Sequence, residues 1–151
     1  MAYLRKPRLA TVRGPRRLET ASFEEAVRSL VRSGARAGQL LADEDLLPVV
    51  DLLVPPSDED TLRGGQRAIR AQEIITQAIE GVGGEYAEIM RILLQIAPGT
   101  PGTSIRDRRT ACGQVFSPPI THKTFERNHE KKILRLLAVE ILAIVKEDAA
   151  A

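Results

Sequence analysis

The sequence predicts an all-α protein, a compact bundle of about six helices that ends in a helix-turn-helix-like pair. Aromatic residues make up 3% of the chain and tryptophan is absent, so leucine, isoleucine, valine and alanine must form the core. This composition favours packing of helix on helix, because strands are enriched in aromatic and β-branched residues. The chain has 151 residues, which is enough for one buried core. We expect a flexible basic arm over residues 1–18 and one helical domain over residues 19–148.

The first helix is predicted to begin at Ser22, because Ser22 and Glu25 have the spacing of a capping box. Apolar residues then recur at the spacing of one helix face, namely Phe23, Ala26, Val27, Leu30 and Val31. Gly34 supplies the exit from this helix.

A short helix is expected within residues 40–54, with Asp43 or Asp45 as its cap. Pro48 is compatible with the first turn of this helix, where a backbone N–H is not required. Pro55, followed by a second proline, ends the helix.

Two longer helices follow. The first is predicted to open at Ser57 and Asp60 and to run to about Glu80, with an inward face of Ile75, Ala78, Ile79 and Val82. The second is predicted over residues 85–97 and is stopped by Pro98 and Gly99. Its inward face consists of Tyr86, Ile89, Met90, Leu93 and Ile96.

The last third of the chain predicts two helices joined by a proline-bearing turn. Thr103 or Ser104 caps a short helix, whose inward side chains are Ile105, Cys112 and Val115. The turn is Ser117-Pro118-Pro119, and the last helix runs from near Thr121 to about Lys146. These two helices are the helix-turn-helix-like pair of residues 103–146.

Charge is divided unevenly along the chain, although the net charge is only +2. Residues 1–18 carry six cations and no acid, whereas residues 19–102 carry seven cations against fourteen acids, a net of −7. Residues 103–135 carry eight cations against three acids, a net of +5, and residues 136–151 have a net of −2. Two basic segments therefore flank an acidic middle. This pattern fits an anionic partner, or equally a docking of the basic segments on the acidic middle of the same fold.

The helix pair supplies candidates for nucleic-acid contact. In a helix-turn-helix the second helix enters the major groove, while the first packs against it; here the packing residues are Ala111, Val115, Phe116 and Phe125. Arginines of the first helix suit phosphate contacts, and these are Arg106, Arg108 and Arg109. The exposed start of the second helix presents side chains that neutralise phosphates or contact base edges, namely Lys123, Thr124, Arg127, Asn128 and Lys131.

The same segment resembles helix-turn-helix-like segments of uncharacterised actinobacterial proteins. The matching pieces are a pair of arginines, an alanine, a small turn residue and a T-F-x-R sequence, which correspond to Arg108, Arg109, Ala111, Ser117, Thr124, Phe125 and Arg127. The resemblance covers about the last third of the chain and implies a small DNA-binding or regulatory protein. The turn here is about two residues longer and lacks the usual glycine.

The second half of the last helix is apolar almost all round. A helix of this kind must be buried on most sides. We expect this half to be the central helix of the bundle, or to pair with a second copy of the chain through an unburied apolar face over Ile133–Val145. The alternative function is therefore a non-catalytic helical adaptor that docks a larger protein partner.

No pattern of catalytic residues competes with these hypotheses, and we expect no enzyme activity and no cofactor. His122, Glu126 and His129 share a helix face, but a fourth metal ligand is lacking and cations surround the set, so no metal is expected. Cys112 is the only cysteine, on an apolar helix face, which predicts a buried and inert thiol. The sequence shows neither a signal peptide nor a membrane span, so we expect a cytoplasmic protein without membrane contact.

Overall fold

The computed structural model describes residues 18–56 and 64–150, and within these ranges it contains helices and no strand. The elements in order are α1 (Thr20–Ser33), α2 (Ala37–Ala42), a 3-10 turn (Glu44–Leu46), α3 (Leu47–Leu53), α4 (Gly64–Val82), α5 (Gly84–Leu93), α6 (Ile105–Gly113), α7 (His122–Phe125), a π-helical turn (Glu126–Glu130) and α8 (Lys131–Ala150). The all-α prediction is confirmed. Residues 1–17 of the predicted arm, and the predicted helix start at Ser57 and Asp60, lie outside the described residues.

Helix α8 is the central element, because both α1 and α4 pack against it. Its buried side chains cover about half of its circumference, and they are Ile133, Leu134, Leu137, Ala138, Ile141, Leu142, Ile144 and Val145. The apolar sequence of this helix is therefore accounted for mainly by burial within the monomer. Of its large apolar residues, Leu136 and Val139 remain exposed.

Helix α1 has the predicted inward face, but its predicted start is wrong. The helix begins at Thr20, two residues before Ser22, and the Ser22 amide already donates to the Glu19 carbonyl at 3.1 Å. Ser22 therefore lies within the first turn and cannot cap it, so the predicted capping box with Glu25 does not form. Gly34 ends the helix as predicted, with a positive φ of 98° that suits glycine.

The segment after α1 contains one helix more than expected. Helix α2 was not predicted. Asp43 was predicted as a possible cap, and its Oδ1 accepts a hydrogen bond from the Asp45 amide at 2.9 Å. Pro48 lies in the first turn of α3, as its missing N–H requires.

Helix α5 ends at Leu93, four residues before its predicted end at Ala97. Gln95 adopts a left-handed φ of 61°, and the Ile96 amide reaches back to the Arg91 carbonyl at 2.9 Å, which together form a Schellman ending. Glycine usually holds this position. Here Gln95 is buried and its Oε1 accepts a hydrogen bond from the Gly102 amide at 2.9 Å, so a tertiary contact holds the strained residue.

Helix α6 is capped by Ser104 as predicted, and the C-terminal helix (122–150, the continuous run of α7, the π-helical turn and α8) begins near Thr121 as predicted, with Thr121 as its cap. Ser104 Oγ accepts from the Asp107 amide at 3.0 Å, and Thr121 Oγ1 accepts from the Thr124 amide at 3.1 Å. Between the two helices the chain passes so close to Gly113 that a β-carbon there would collide with the Ile120 carbonyl oxygen.

Candidate nucleic-acid interface

An ion pair joins helix α6 to the π-helical turn. Arg109 donates to the two carboxylate oxygens of Glu130, from Nε at 2.7 Å and from Nη2 at 2.9 Å, and its Nη1 lies 3.5 Å from Glu126 Oε2. The hydrogen bonds to Glu130 raise the pKa of Arg109. Arg109 was predicted to contact phosphate, but its guanidinium group is already bound to a carboxylate of its own chain.

Arg108 was also predicted to contact phosphate, and this prediction does not fit its position, because only 4% of the residue is exposed. Its Nη1 donates to the carbonyl oxygen of Val31, at 2.8 Å, and to that of Leu93. Both carbonyls belong to the C-terminal turns of helices (α1 and α5), where backbone acceptors lack partners and the helix dipole is negative. Burial lowers the pKa of Arg108.

The spacing within α6 explains why Arg108 points inward. Arg108 lies three residues after Ile105 and four before Cys112, so all three share one helix face. Cys112 is fully buried, with Sγ 3.7 Å from the Ile89 carbonyl oxygen, and burial raises its pKa to about 12. The predicted inward face of α6 thus includes an arginine.

The remaining predicted cations are exposed. Arg106 lies on α6, and Lys123, Arg127 and Lys131 lie on the C-terminal helix. Within residues 18–56 and 64–150, none of these four has a carboxylate oxygen within 4.0 Å. Across the same residues, the one ion pair between the basic segment 103–135 and the acidic middle is the long Arg135–Glu24 contact of 4.0 Å. Ion pairs with the acidic middle therefore neutralise little of the charge on the basic surface.

Four of the exposed cations form a basic stripe (Lys123, Arg127, Lys131 and Arg135) along the C-terminal helix. Residues four apart share one side of a helix, although an α-helix of 3.6 residues per turn drifts by about 40° over each such step. The π-helical turn Glu126–Glu130 is wider and offsets part of that drift. The stripe therefore stays on one side over about 18 Å.

The two polar candidates differ in accessibility. Asn128 is exposed beside Arg127, whereas Thr124 is half-buried and its Oγ1 lies 3.0 Å from that of Thr121. Phe125, the predicted anchor of the second helix, is fully buried and meets Phe116 edge-to-face at 6.2 Å between ring centroids.

The histidines of the C-terminal helix are not grouped with other metal-ligating side chains in the described ranges. The His129 ring packs on Phe116, with 4.6 Å between ring centroids. In the part of the chain that the structure describes, no three histidine, cysteine, aspartate or glutamate side chains are placed to hold a metal ion.

The connection between α6 and the C-terminal helix covers residues 114–121, which is longer than the three or four residues of a helix-turn-helix. The pair is therefore a packed helical corner with a long loop. Sequence reasoning missed Arg28 and Arg32 of α1, which line a common cleft with Lys131 and Arg135. The sequence held a signal that could have found them: the two arginines are four residues apart, on the polar side of a helix whose other side is buried.

Comparison of the chain with protein-family models, curated proteins and solved structures finds no match. The resemblance of the last third to actinobacterial helix-turn-helix-like segments stays a prediction. None of the helices in the described ranges is long and apolar enough to cross a lipid bilayer.

Proposed function

We propose that this protein binds duplex DNA through the phosphate backbone, with the basic stripe as the contact surface. The observation that supports this proposal is the accessibility of the stripe: three of its four cations have no carboxylate partner among the described residues, and Arg135 has only a 4.0 Å contact. Phosphates are neutralised by lysine and arginine side chains in this way in most DNA-binding proteins.

The contact is of the kind that positions a protein rather than the kind that specifies a sequence. Arg108 and Arg109 are engaged inside the fold, and the long 114–121 loop differs from that of a recognition-helix motif. Arg127 and Asn128 are both exposed and of types that contact base edges, arginine at guanine and asparagine at adenine. Affinity therefore comes mainly from the release of counterions.

Salt dependence gives the sharpest test. Each neutralised phosphate contributes about −0.9 to the slope of log K against log salt, so four contacts give about −3.6 and roughly a hundredfold loss of affinity between 50 and 200 mM salt. Fluorescence anisotropy with a labelled duplex measures this slope. Absence of binding at about 50 mM salt, a condition that favours phosphate contacts, would contradict the proposal.

A charge-matched pair of variants separates the stripe from net charge. We expect Lys123→Gln with Arg127→Gln to reduce the magnitude of the slope by about 1.8. The control, Arg70→Gln with Lys146→Gln, removes the same charge from side chains outside the stripe and should leave the slope unchanged. Equal losses in the two double variants would show that only overall charge matters.

A second candidate function is a non-catalytic adaptor that docks a larger protein, and exposed apolar side chains favour it. Leu136 and Val139 lie three residues apart on α8 and are 36% and 47% exposed. A homodimer through Ile133–Val145 would rest mainly on these two, because most other large side chains of that range are buried in the monomer. Light scattering of Leu136→Arg with Val139→Arg against the unmodified protein tests the dimer. An adaptor function predicts partner binding that survives Lys123→Gln with Arg127→Gln.

A further inference from the structure

A cleft lies between α1, α6 and the C-terminal helix. Its volume is about 890 Å³, within the range that accommodates small organic ligands. Its lining combines apolar side chains, which include Val31, Ile105 and Leu134, with six cations and three acids. The cations are Arg28, Arg32, Arg108, Arg109, Lys131 and Arg135.

The acids of the cleft neutralise only part of this charge. Glu126 and Glu130 are both directed to Arg109, and Glu24 lies 4.0 Å from Arg135. Among the described residues, the other four cations of the cleft have no carboxylate oxygen within 4.0 Å. The cleft therefore carries an excess of positive charge, which attracts anions.

Arg108 contributes the most specific feature of the cleft, because its guanidinium is buried and only partly bonded. Nη1 makes both hydrogen bonds to the backbone, while Nε is enclosed and has no acceptor among the described residues. In the neighbouring Arg109, the edge formed by Nε and Nη2 is the one that holds the Glu130 carboxylate. In Arg108 the Nε of this edge is buried without a partner, and the hydrogen bonds of the guanidinium within the described chain come from Nη1.

A buried donor without an acceptor destabilises the fold, and a buried charge without a counter-charge does so more strongly. A carboxylate or phosphate that reached this edge would remove both destabilising effects, since a planar guanidinium matches either group with two parallel hydrogen bonds. Because Nε is enclosed, the groups that cover it must move aside when the ligand enters. We propose that the cleft binds a small organic molecule through such an oxyanion, at the guanidinium of Arg108, with Arg28 and Arg32 adding positive charge.

The apolar wall defines the rest of the ligand. Val31, Ile105 and Leu134 offer no hydrogen bonds from their side chains, so the body of the ligand beside the oxyanion is apolar. The site shares Lys131 and Arg135 with the basic stripe, but it does not depend on DNA binding. Because Arg108 is buried, a ligand group must enter the cleft to reach it, which the broad backbone of a duplex does not do.

The test uses the arginine Nε–H signals of the full-length protein in two-dimensional NMR. The probes are inorganic phosphate, phenyl phosphate and benzoate, each compared with chloride at the same ionic strength. We expect a saturable shift of the Arg108 signal with the organic anions, and tighter binding of phenyl phosphate than of inorganic phosphate because of the apolar wall. No shift of the Arg108 signal beyond that caused by chloride would overturn the proposal.

Matched variants avoid any substitution of the buried Arg108. Arg28→Gln with Arg32→Gln should weaken phenyl phosphate binding about tenfold, as the loss of charge-assisted contacts implies. The control Arg70→Gln with Lys146→Gln should change it by less than about twofold, because surface charges beyond a Debye length are screened. Equal weakening in both would overturn a defined site.

A duplex titration keeps this proposal separate from the function proposed above. We expect Lys123→Gln with Arg127→Gln to lose affinity for the duplex while its phenyl phosphate affinity is unchanged. If phenyl phosphate does not bind but the duplex does, the cleft proposal fails and the DNA proposal stands. If a duplex alone shifts the Arg108 signal, the oxyanion is a phosphodiester and the small-molecule site is refuted.

Discussion

Arg109 and Glu130 connect α6 to the π-helical turn through two parallel hydrogen bonds, from Nε at 2.7 Å and from Nη2 at 2.9 Å. Their side chains are 20% and 13% exposed, so water competes little with the pair. Together with the buried Phe125, this pair holds the first part of the C-terminal helix, from which the basic stripe begins, against α6 and the loop that follows it.

We expect Arg109→Lys to destabilise the fold by about 1–3 kcal/mol, because an ammonium group keeps the charge but loses the two-pronged contact. Urea unfolding followed by circular dichroism measures the change. Arg106→Lys is the matched control: Arg106 is exposed and unpaired within the described chain, so its effect should stay within about 0.5 kcal/mol. Equal stability of the two variants would mean that the pair contributes nothing.

Deletion of Asn128 tests the π-helical turn. The wide turn holds about one residue more than an α-helical turn, so the deletion allows a regular α-helix that keeps Phe125 and Glu130 on their present sides. We therefore expect the deletion to cost less than about 1 kcal/mol. Asn128→Ala removes the same exposed side chain without changing the length, and should be nearly neutral. A deletion variant that is several kcal/mol less stable than Asn128→Ala would show that the fold depends on the wide turn itself.

Two glycine substitutions should have opposite signs. Gly113→Ala places a β-carbon against the Ile120 carbonyl oxygen, and the backbone shift that follows should cost about 1–3 kcal/mol. Gly38→Ala lies in helix α2 with nothing near its β-carbon, so it should stabilise by up to about 1 kcal/mol. Thermal unfolding of both variants checks the prediction, which is wrong if Gly113→Ala unfolds at the original temperature.

The Cys112 thiol should be nearly unreactive in the folded protein. Its pKa is raised from the ordinary 9.0 to about 12, first by burial and then by the charge of Glu130. We expect alkylation by iodoacetamide at pH 8 to be at least about a hundredfold slower than in urea, because the thiolate is the nucleophile. Similar rates in both conditions would show that the thiol is accessible.

The raised pKa of Cys112 also has a consequence for stability. The folded protein holds the thiol proton more tightly than the unfolded chain does, so the contribution is complete below pH 9 and is lost as the pH rises toward 12. A plot of unfolding free energy against pH over this range should have a different slope for the unmodified protein than for Cys112→Ala. Parallel slopes would exclude the effect.

The helices with clear apolar periodicity could be predicted from the sequence. Phe23 and Leu30 of α1, and Ile75 and Ile79 of α4, are buried as expected, because a repeat near 3.6 residues leaves one face for the core. The cap at Ser104 could also be predicted from the sequence, since a hydroxyl side chain just before a helix accepts a hydrogen bond from a free backbone N–H.

Features that depend on distant backbone atoms could not be predicted. The spacing within α6 directs Arg108 inward, but the carbonyls that accept its hydrogen bonds lie 77 and 15 residues away, and no local pattern reports them. Gln95 ends α5 in a conformation usual for glycine because Gly102 holds its side chain. The candidate site changed accordingly: Arg108 and Arg109 are engaged within the fold, while the predicted cations of the C-terminal helix stay exposed and Arg135 joins them.

The contacts of Arg108 also determine how this position tolerates evolutionary change. Its acceptors are main-chain oxygens, which every amino acid supplies, so Val31 and Leu93 are free to vary in identity as far as this contact is concerned. A saturation mutagenesis screen for folding should therefore find Arg108 intolerant without any second residue whose substitution compensates for it. Helices α1, α5 and α6 therefore meet at a junction in which the identity of one side chain, Arg108, matters for the contact.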